Sequence, residues 1–243
     1  MTEKCWMYDG CKSRTAVCSS KGPEDKGCPV YRYFRDLIGK QKAEAAARPP
    51  VIAESVTELR QLLAAGKIPE IGQIALSMNG MDWRCIEHME ENGVVLMMAA
   101  AYDWRPFARP DKEHPWGWNN YEASQIRKEL NSEVLADLFG DEQDLLEYWL
   151  PGQGKLFLLS DEEAGFEQTE ATFAWFRGSS KSVLDSRRML KDRDGDPAYW
   201  WLRSPNPSSA GGVRFVLSDG SLNYYYFACY GGSAAAACVI TQS

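Results

Sequence analysis

Tyr199-Trp200-Trp201-Leu202-Arg203-Ser204-Pro205, then Val213 to Leu217, Ser218-Asp219-Gly220 and Ser221 to Phe227, is the stretch that decides the fold. Val213 to Leu217 and Ser221 to Phe227 are short, apolar and aromatic, so they predict strands. Ser218-Asp219-Gly220 between them predicts a tight turn. Val239 and Ile240 predict one more short strand beyond. Tyr224-Tyr225-Tyr226-Phe227 is a run of four aromatics that breaks the alternation of a half-buried strand. Such a run marks either a core strand with an open edge or a surface selected to touch something.

Upstream, Ser55 and Glu58 form a capping box for a helix. Leu59, Leu62 and Leu63 are its apolar face and Gly66 its end. Trp83 to His88 and Val94 to Met98 predict two strands around Glu90-Glu91-Asn92-Gly93, an Asn-Gly hairpin signal. A Pro- and Trp-rich loop runs from Trp104 to Trp118. Ile126, Leu130, Val134 and Leu138 then predict an amphipathic helix. Leu156 to Leu159 predicts a buried strand, and Ser160 with Glu163 a second capping box opening a short helix. These readings give helices interspersed with short strands and tight turns.

The first fifty residues differ in character. Cys5, Cys11, Cys18 and Cys28 crowd a polar head, and Val30, Phe34, Leu37 and Ile38 follow at helical spacing. Pro49 and Pro50 bound this head, giving a division into 1–50 and 51–243. Four thiolates suit tetrahedral zinc, and a segment this small needs a staple. They suit an iron–sulfur cluster as the alternative, and reduced or disulfide-paired cysteines without metal remain a third possibility.

The 243 residues carry a net charge of -7 with no basic cluster, which argues against nucleic acid as a partner. Arg187, Arg188, Lys191 and Arg193 are offset by Asp185, Asp192, Asp194 and Asp196. No stretch is long and apolar enough to span a bilayer as a helix. With no signal-peptide core, the expectation is synthesis in the cytoplasm, with residence there or in a phage virion. The two histidines, His88 and His114, have no neighbours at ligand spacing, and no Ser/His/Asp arrangement stands out. Asp192, Asp194 and Asp196 around Gly195 lack the order of an EF-hand, so a solvated loop is expected there and calcium is not. The expectation is a binding protein rather than an enzyme.

Several strings occur in an order that resembles a known family. They are Trp118 before Ile126-Arg127 and Leu130-Asn131, Phe157-Leu158-Leu159-Ser160 with Glu162-Glu163, Trp201-Leu202-Arg203-Ser204-Pro205, and Ser218-Asp219-Gly220. Together they resemble a C-type-lectin-like family abundant in gut bacteria and their phages, over about Ile71 to the C-terminus. Family members commonly carry a Gly-Val-Arg-Pro-like string before the last strand, where this chain has Ala235-Ala236-Ala237-Cys238-Val239-Ile240. Some members are similar to the variable proteins of diversity-generating retroelements. In those systems mutagenesis at template adenines in Asn codons yields many residues but never Lys, Glu, Gln, Met or Trp. Asn206 to Ser233 contains none of those five.

The resemblance implies an α+β, C-type-lectin-like domain of small antiparallel sheets and two or more helices, preceded by the Cys-rich head, with a variable region at about 199–243. Its scaffold would include Trp200 or Trp201, Leu202 and the Ile126/Leu130 helix face, with Arg203 donating to backbone carbonyls. The candidate ligand-binding residues are Asn206, Ser209, Gly211, Gly212, Phe215, Leu217, Asn223, Tyr224, Tyr225, Tyr226, Phe227, Cys229, Tyr230 and Ser233. Their Tyr, Ser, Gly and Asn content is that of a paratope. The expected partner is a protein or glycan ligand, and self-association into a homo-oligomer stays open. The scaffold is also similar to that of the sulfatase-activating formylglycine-generating enzymes, so a cysteine-dependent oxidase using Cys229 and Cys238 is the alternative. A structural phage or surface protein without diversification is a further one.

Overall fold

A computed structural model describes residues 53–179 and 185–242. The cysteine head, its helix and its proline boundary lie outside the described residues. The described chain is α+β, with short helices and small, mainly antiparallel sheets.

Helix α1 (Val56–Ala64) starts where the sequence places it. Ser55 Oγ accepts from Glu58 N at 3.1 Å, while the Glu58 carboxylate reaches back to Glu54 N at 2.9 Å. Gly66, at φ 71°, ends the helix in the left-handed region that a side chain disfavours.

The first sheet contains β1 (Ile74–Met78), β2 (Met81–His88), β3 (Val94–Met98), β12 (Ala236–Ile240) and β5 (Phe157–Leu158), in spatial order β1-β2-β3-β12-β5. The β2–β3 hairpin is present, but its turn differs from expectation. Glu91 and Asn92 take the left-handed positions at φ 55° and 60°, while Gly93 is extended. The tight pair is thus shifted one residue from Asn-Gly, and Gly93 N closes it on Glu90 O at 3.1 Å. A second hairpin, absent from the sequence expectations, joins β1 to β2 through Asn79 and Gly80, both at positive φ.

In β3 and β12 successive side chains alternate between two hydrophobic clusters. Val94, Leu96, Met98, Ala236, Cys238 and Ile240 enter one; Val95, Met97, Ala237 and Val239 enter the other. Both faces are covered, so both strands are continuously apolar. The alanines of β12 have low strand propensity, and burial on both faces overrides it.

The second sheet contains β4 (Tyr102–Pro106), β8 (Trp200–Pro205), β9 (Gly212–Val216), β10 (Leu222–Phe227) and β11 (Gly231–Ala234), in spatial order β10-β9-β8-β11-β4. The only parallel pairing between its strands is β8 with β11. Tyr102–Pro106 is therefore a strand where the sequence suggested the start of a loop. β6 (Leu190–Lys191) and β7 (Pro197–Ala198) form a small separate ribbon.

The amphipathic segment is helical but not uniform. α2 (Gln125–Glu129) passes through a π-helical turn (Leu130–Val134) into α3 (Leu135–Phe139). Ile126, Leu130, Val134 and Leu138 repeat every four residues, longer than the α period of 3.6, and all four are buried. The wider π turn keeps that stripe on one face. The Ser160/Glu163 box also forms, with Ser160 N on Glu163 Oε2 at 2.9 Å and Glu163 N on Ser160 Oγ at 3.1 Å. It opens a single turn rather than the expected helix, because Gly165 at φ 74° breaks away at once.

Candidate functional site

The Trp200-Trp201 pair anchors the second sheet. Adjacent strand residues point to opposite faces, and each indole enters a different cluster. Each also finds an acceptor: Trp200 Nε1 donates to Arg188 O at 2.9 Å, and Trp201 Nε1 to Arg105 O at 3.0 Å. Arg203 donates to Leu158 O at 2.6 Å, as the resemblance implied, and also pairs with both oxygens of Glu163. Glu163 accepts from Trp149 Nε1 as well. Ser204 Oγ donates to Asp161 Oδ1 at 2.6 Å, and Asp161 pairs with Arg214. The polar residues of the motif thus knit β8 and β9 to the turn after β5, and their carboxylates and guanidiniums are mostly buried.

The face of this sheet that carries Trp201 is aromatic from edge to edge. Tyr226 of β10 lies 4.8 Å from Phe215 of β9, and Phe215 packs edge-on to Trp201 and to Tyr199. Tyr199 in turn meets Trp104 of β4 at 6.0 Å. The intervening strand β11 has only glycines there, for a physical reason. A Cβ on Gly231 would stand 1.7 Å from Trp104 Nε1, and one on Gly232 2.8 Å from Trp201. From Tyr226 the rings continue to Tyr230 at 5.3 Å, to Phe227 at 5.7 Å, and to a stack of Phe227 on Trp116 at 4.8 Å. Trp201 and Phe215 are buried and Tyr199, Tyr226 and Phe227 half-buried, while Trp104, Trp116 and Tyr230 stand 57%, 52% and 43% exposed.

Loops outside the C-terminal segment hold this face in place. Asn119 Nδ2 donates toward three carbonyls, those of Ser209 and Gly212 at 2.9 Å and of Asn206 at 3.3 Å. Asn119 N adds a bond to Ala210 O at 3.0 Å. Cys229 N donates to Trp116 O, and Ala228 N to Gly211 O. The backbone of 206–212 is therefore pinned while Pro207, Ser208 and Ala210 remain exposed.

The structure divides the candidate residues. Tyr230 is exposed, and Ser209, Gly211, Leu217, Asn223, Tyr226, Phe227 and Cys229 are partly so. Tyr224 and Tyr225 lie in β10, where two residues oppose the single Arg214 of β9 in a bulge. Asn206 (7% exposed), Phe215 (6%), Ser233 (4%) and Gly212 are buried, which corrects their placement on a contact surface. Phe215 is buried by the rings around it, and Leu217 shares its cluster as strand alternation predicts. Gly212 is confined by Asn206, and Ser233 N bonds to Tyr199 O.

Trp104, Trp116, Asn119 and Tyr199 were not among the candidates. The only local signal was tryptophan density in a Pro-rich loop, which does not say where the loop folds back.

Cys238 lies in β12 beside Leu96 of β3, and burial pushes its thiol well up from the ordinary range. Cys85 flanks the same Leu96 from β2, and burial pushes it up to about 12. Cys229 sits apart, beside the Trp116 backbone. His88 is held by Pro69 O at 2.8 Å, and His114 stacks on Trp118 with Asp111 at its Nδ1. The carboxylate of Asp192 accepts from Asp194 N and Asp196 N, closing that loop on itself. Among the described residues no cluster of His, Cys, Asp or Glu has the makings of a metal site. No described helix is long and apolar enough to cross a membrane.

Residues 152–240 match the model of a family described as a domain of unknown function (DUF6273). That span includes β5, the Trp-Leu-Arg-Ser-Pro motif and most of the aromatic face, but not Trp104 or Trp116. No curated protein and no solved structure matches the chain.

Proposed function

We propose that the chain is a recognition module of C-type-lectin-like type, binding its ligand at the exposed margins of the aromatic run on the second sheet. The observation that carries this is the unbroken run of rings from Trp104 to Trp116, exposed at both ends and pinned from below. Large rings left exposed, as Trp104, Trp116 and Tyr230 are, mark a surface kept for contact. Trp and Tyr give large contact area at low side-chain entropy cost.

The same arrangement suits retroelement diversification of the C-terminal segment. The Trp200-Trp201 anchors and the Arg203–Glu163 pair are largely buried, while side chains at 207, 208, 210 and 230 are exposed and those at 226 and 227 half-buried. Change there alters the surface without opening the core. The cysteine head, outside the described residues, then serves attachment or assembly, with zinc or an iron–sulfur cluster as its staple.

Sequencing the DNA that flanks the gene tests this proposal. The expected result is a reverse transcriptase gene and a near-copy of codons 199–243, differing only where the copy has adenine. The mismatches should fall on codons such as 208, 223, 226, 227 and 230, and spare those of Trp200 to Ser204. Absence of the repeat, or mismatches concentrated on buried codons, would remove diversification from the proposal.

A further inference from the structure

We propose that the loop from Tyr148 to Gln153 is a second docking surface, for a basic amphipathic segment of a different protein. It shares no residue with the aromatic run and does not depend on that reading. Three observations point to it.

The first is exposure. Tyr148 and Leu150 stand 65% and 43% exposed, and Pro151 beside them is exposed as well. Apolar residues scattered singly over a surface are ordinary, whereas neighbours grouped at one tip mark a contact.

The second is rigidity. Between its two exposed neighbours Trp149 turns inward. Its ring stacks on Phe157 at 5.9 Å and meets Phe173 edge-on at 5.4 Å, and its Nε1 donates to Glu163 at 3.0 Å. On one side of the loop Glu147 N donates to Val239 O at 3.0 Å. On the other, Gln153 N donates to Leu150 O at 3.1 Å around Pro151 and Gly152, the glycine at φ 80°. Proline followed by a positive-φ glycine is the signature of a type II turn. The tip is thus set before anything binds, which lowers the entropy lost on binding.

The third is charge. Glu122, Asp144 and Glu147 are all exposed around the tip. Glu122 Oε1 lies beside the turn, 3.4 Å from where a Cβ on Gly152 would stand. The cations of this neighbourhood are engaged. Lys155 Nζ, 5.9 Å from the centre of the Tyr148 ring, donates to Asp144 and to Gln143 O, and Arg127 donates to Glu122 O. An apolar tip rimmed by carboxylates is complemented by leucine-like side chains interleaved with Lys or Arg. Two copies of this chain carry -7 each and repel one another at a distance, and an anionic bilayer is repelled in the same way.

The experiment titrates the full chain into labelled peptides and follows fluorescence anisotropy. One peptide places Leu and Lys at helical spacing over about 15 residues, and the other has Glu for every Lys. The Lys/Leu peptide should bind, more weakly as salt rises, and the Glu/Leu peptide should not. Tyr148→Ser and Leu150→Ser should each weaken binding by at least about tenfold, with circular dichroism unchanged because both side chains are exposed. Asp144→Lys combined with Glu147→Lys should weaken it too, while Ile68→Ser, at an exposed apolar residue outside the loop, should not. If neither peptide binds, or both bind alike, the proposal is overturned. If Trp104→Ala releases the peptide and Tyr148→Ser does not, the peptide's site is the aromatic run, and the proposal falls while that reading stands. If sedimentation shows a dimer that Leu150→Ser dissociates, the occupant is a second copy. If vesicles of phosphatidylcholine carry down the wild type but not Tyr148→Ser, it is a lipid surface. Either result overturns the proposal.

Discussion

At the residue scale, most of the chemistry that caught the eye in the sequence turns out to hold the scaffold. Arg203 and Glu163 are a nearly buried ion pair, with Leu158 O, Ser160 N and Trp149 Nε1 taking up the remaining hydrogen-bonding capacity. Removing one member of such a pair leaves a charge without its partner in a poorly solvated place. Arg203→Ala should therefore lower the unfolding free energy by about 3–5 kcal/mol. Arg203→Met with Glu163→Leu should recover part of the loss, because the buried charge disappears as well. Urea denaturation of the three proteins measures this. A single-variant loss below about 1 kcal/mol would mean that water reaches the pair.

At the element scale, the π turn between α2 and α3 has a specific lock. Asn131 sits in it at φ -97°, ψ 15°. Its Nδ2 donates to Arg127 O and Leu156 O, and its Oδ1 accepts from Lys155 N and Leu156 N. Gly154 leaves room for that side chain, since a Cβ there would come within 2.4 Å of it. Asn131→Ala removes the acceptor of two backbone donors, Lys155 N and Leu156 N, whereas Arg127 O keeps its bond from Leu130 N. A loss of roughly 2–6 kcal/mol is expected, at about 1–3 kcal/mol for each donor left unsatisfied. Equilibrium denaturation checks the size, and amide exchange at Lys155 and Leu156 should speed up. Unchanged exchange there would assign the lock to the backbone alone.

The elements also show what could be read beforehand. α1, the β2–β3 hairpin and the β9–β10 hairpin carry their own caps, turns and apolar runs, so local chemistry was enough. The β1–β2 hairpin had an Asn-Gly signal, but methionines on either side blurred the alternation. β4 was illegible because an edge strand with Asp103, Trp104 and Arg105 in the middle has no core-facing pattern to show. The candidate site was half legible. The C-terminal rings stood out as a composition, while Trp104 joins them only because β11 inserts between β8 and β4. Asn206, Phe215 and Ser233 were misplaced because composition says nothing about which polar or aromatic residues a neighbouring loop will cover.

At the scale of the whole molecule, both hydrophobic clusters draw residues from both five-stranded sheets. Trp83 of the first sheet and Trp201 of the second share one cluster; Val239 and Trp200 share the other. Neither sheet can lose its packing without exposing the other, so residues 53–242 should unfold as one cooperative unit. Thermal scans by near-ultraviolet circular dichroism, which follows the tryptophans, and by far-ultraviolet signal should share one midpoint. Two separated midpoints would show that a sheet stands alone.

The position of β12 has a consequence for how the protein is made. It lies between β3 and β5, and its register sets Ile240 opposite Val94. Some 146 residues separate those partners along the chain. At ribosomal speeds of about 5–20 residues per second, that interval lasts roughly 7–30 s. Throughout it, the nascent chain carries Val94-Val95-Leu96-Met97-Met98 with one edge unpaired and apolar on both faces. Such an edge is open to pairing with a neighbouring polypeptide on the same polysome. Until the alanine strand arrives to fill it, that seam is the place where the growing chain is most open to mispairing.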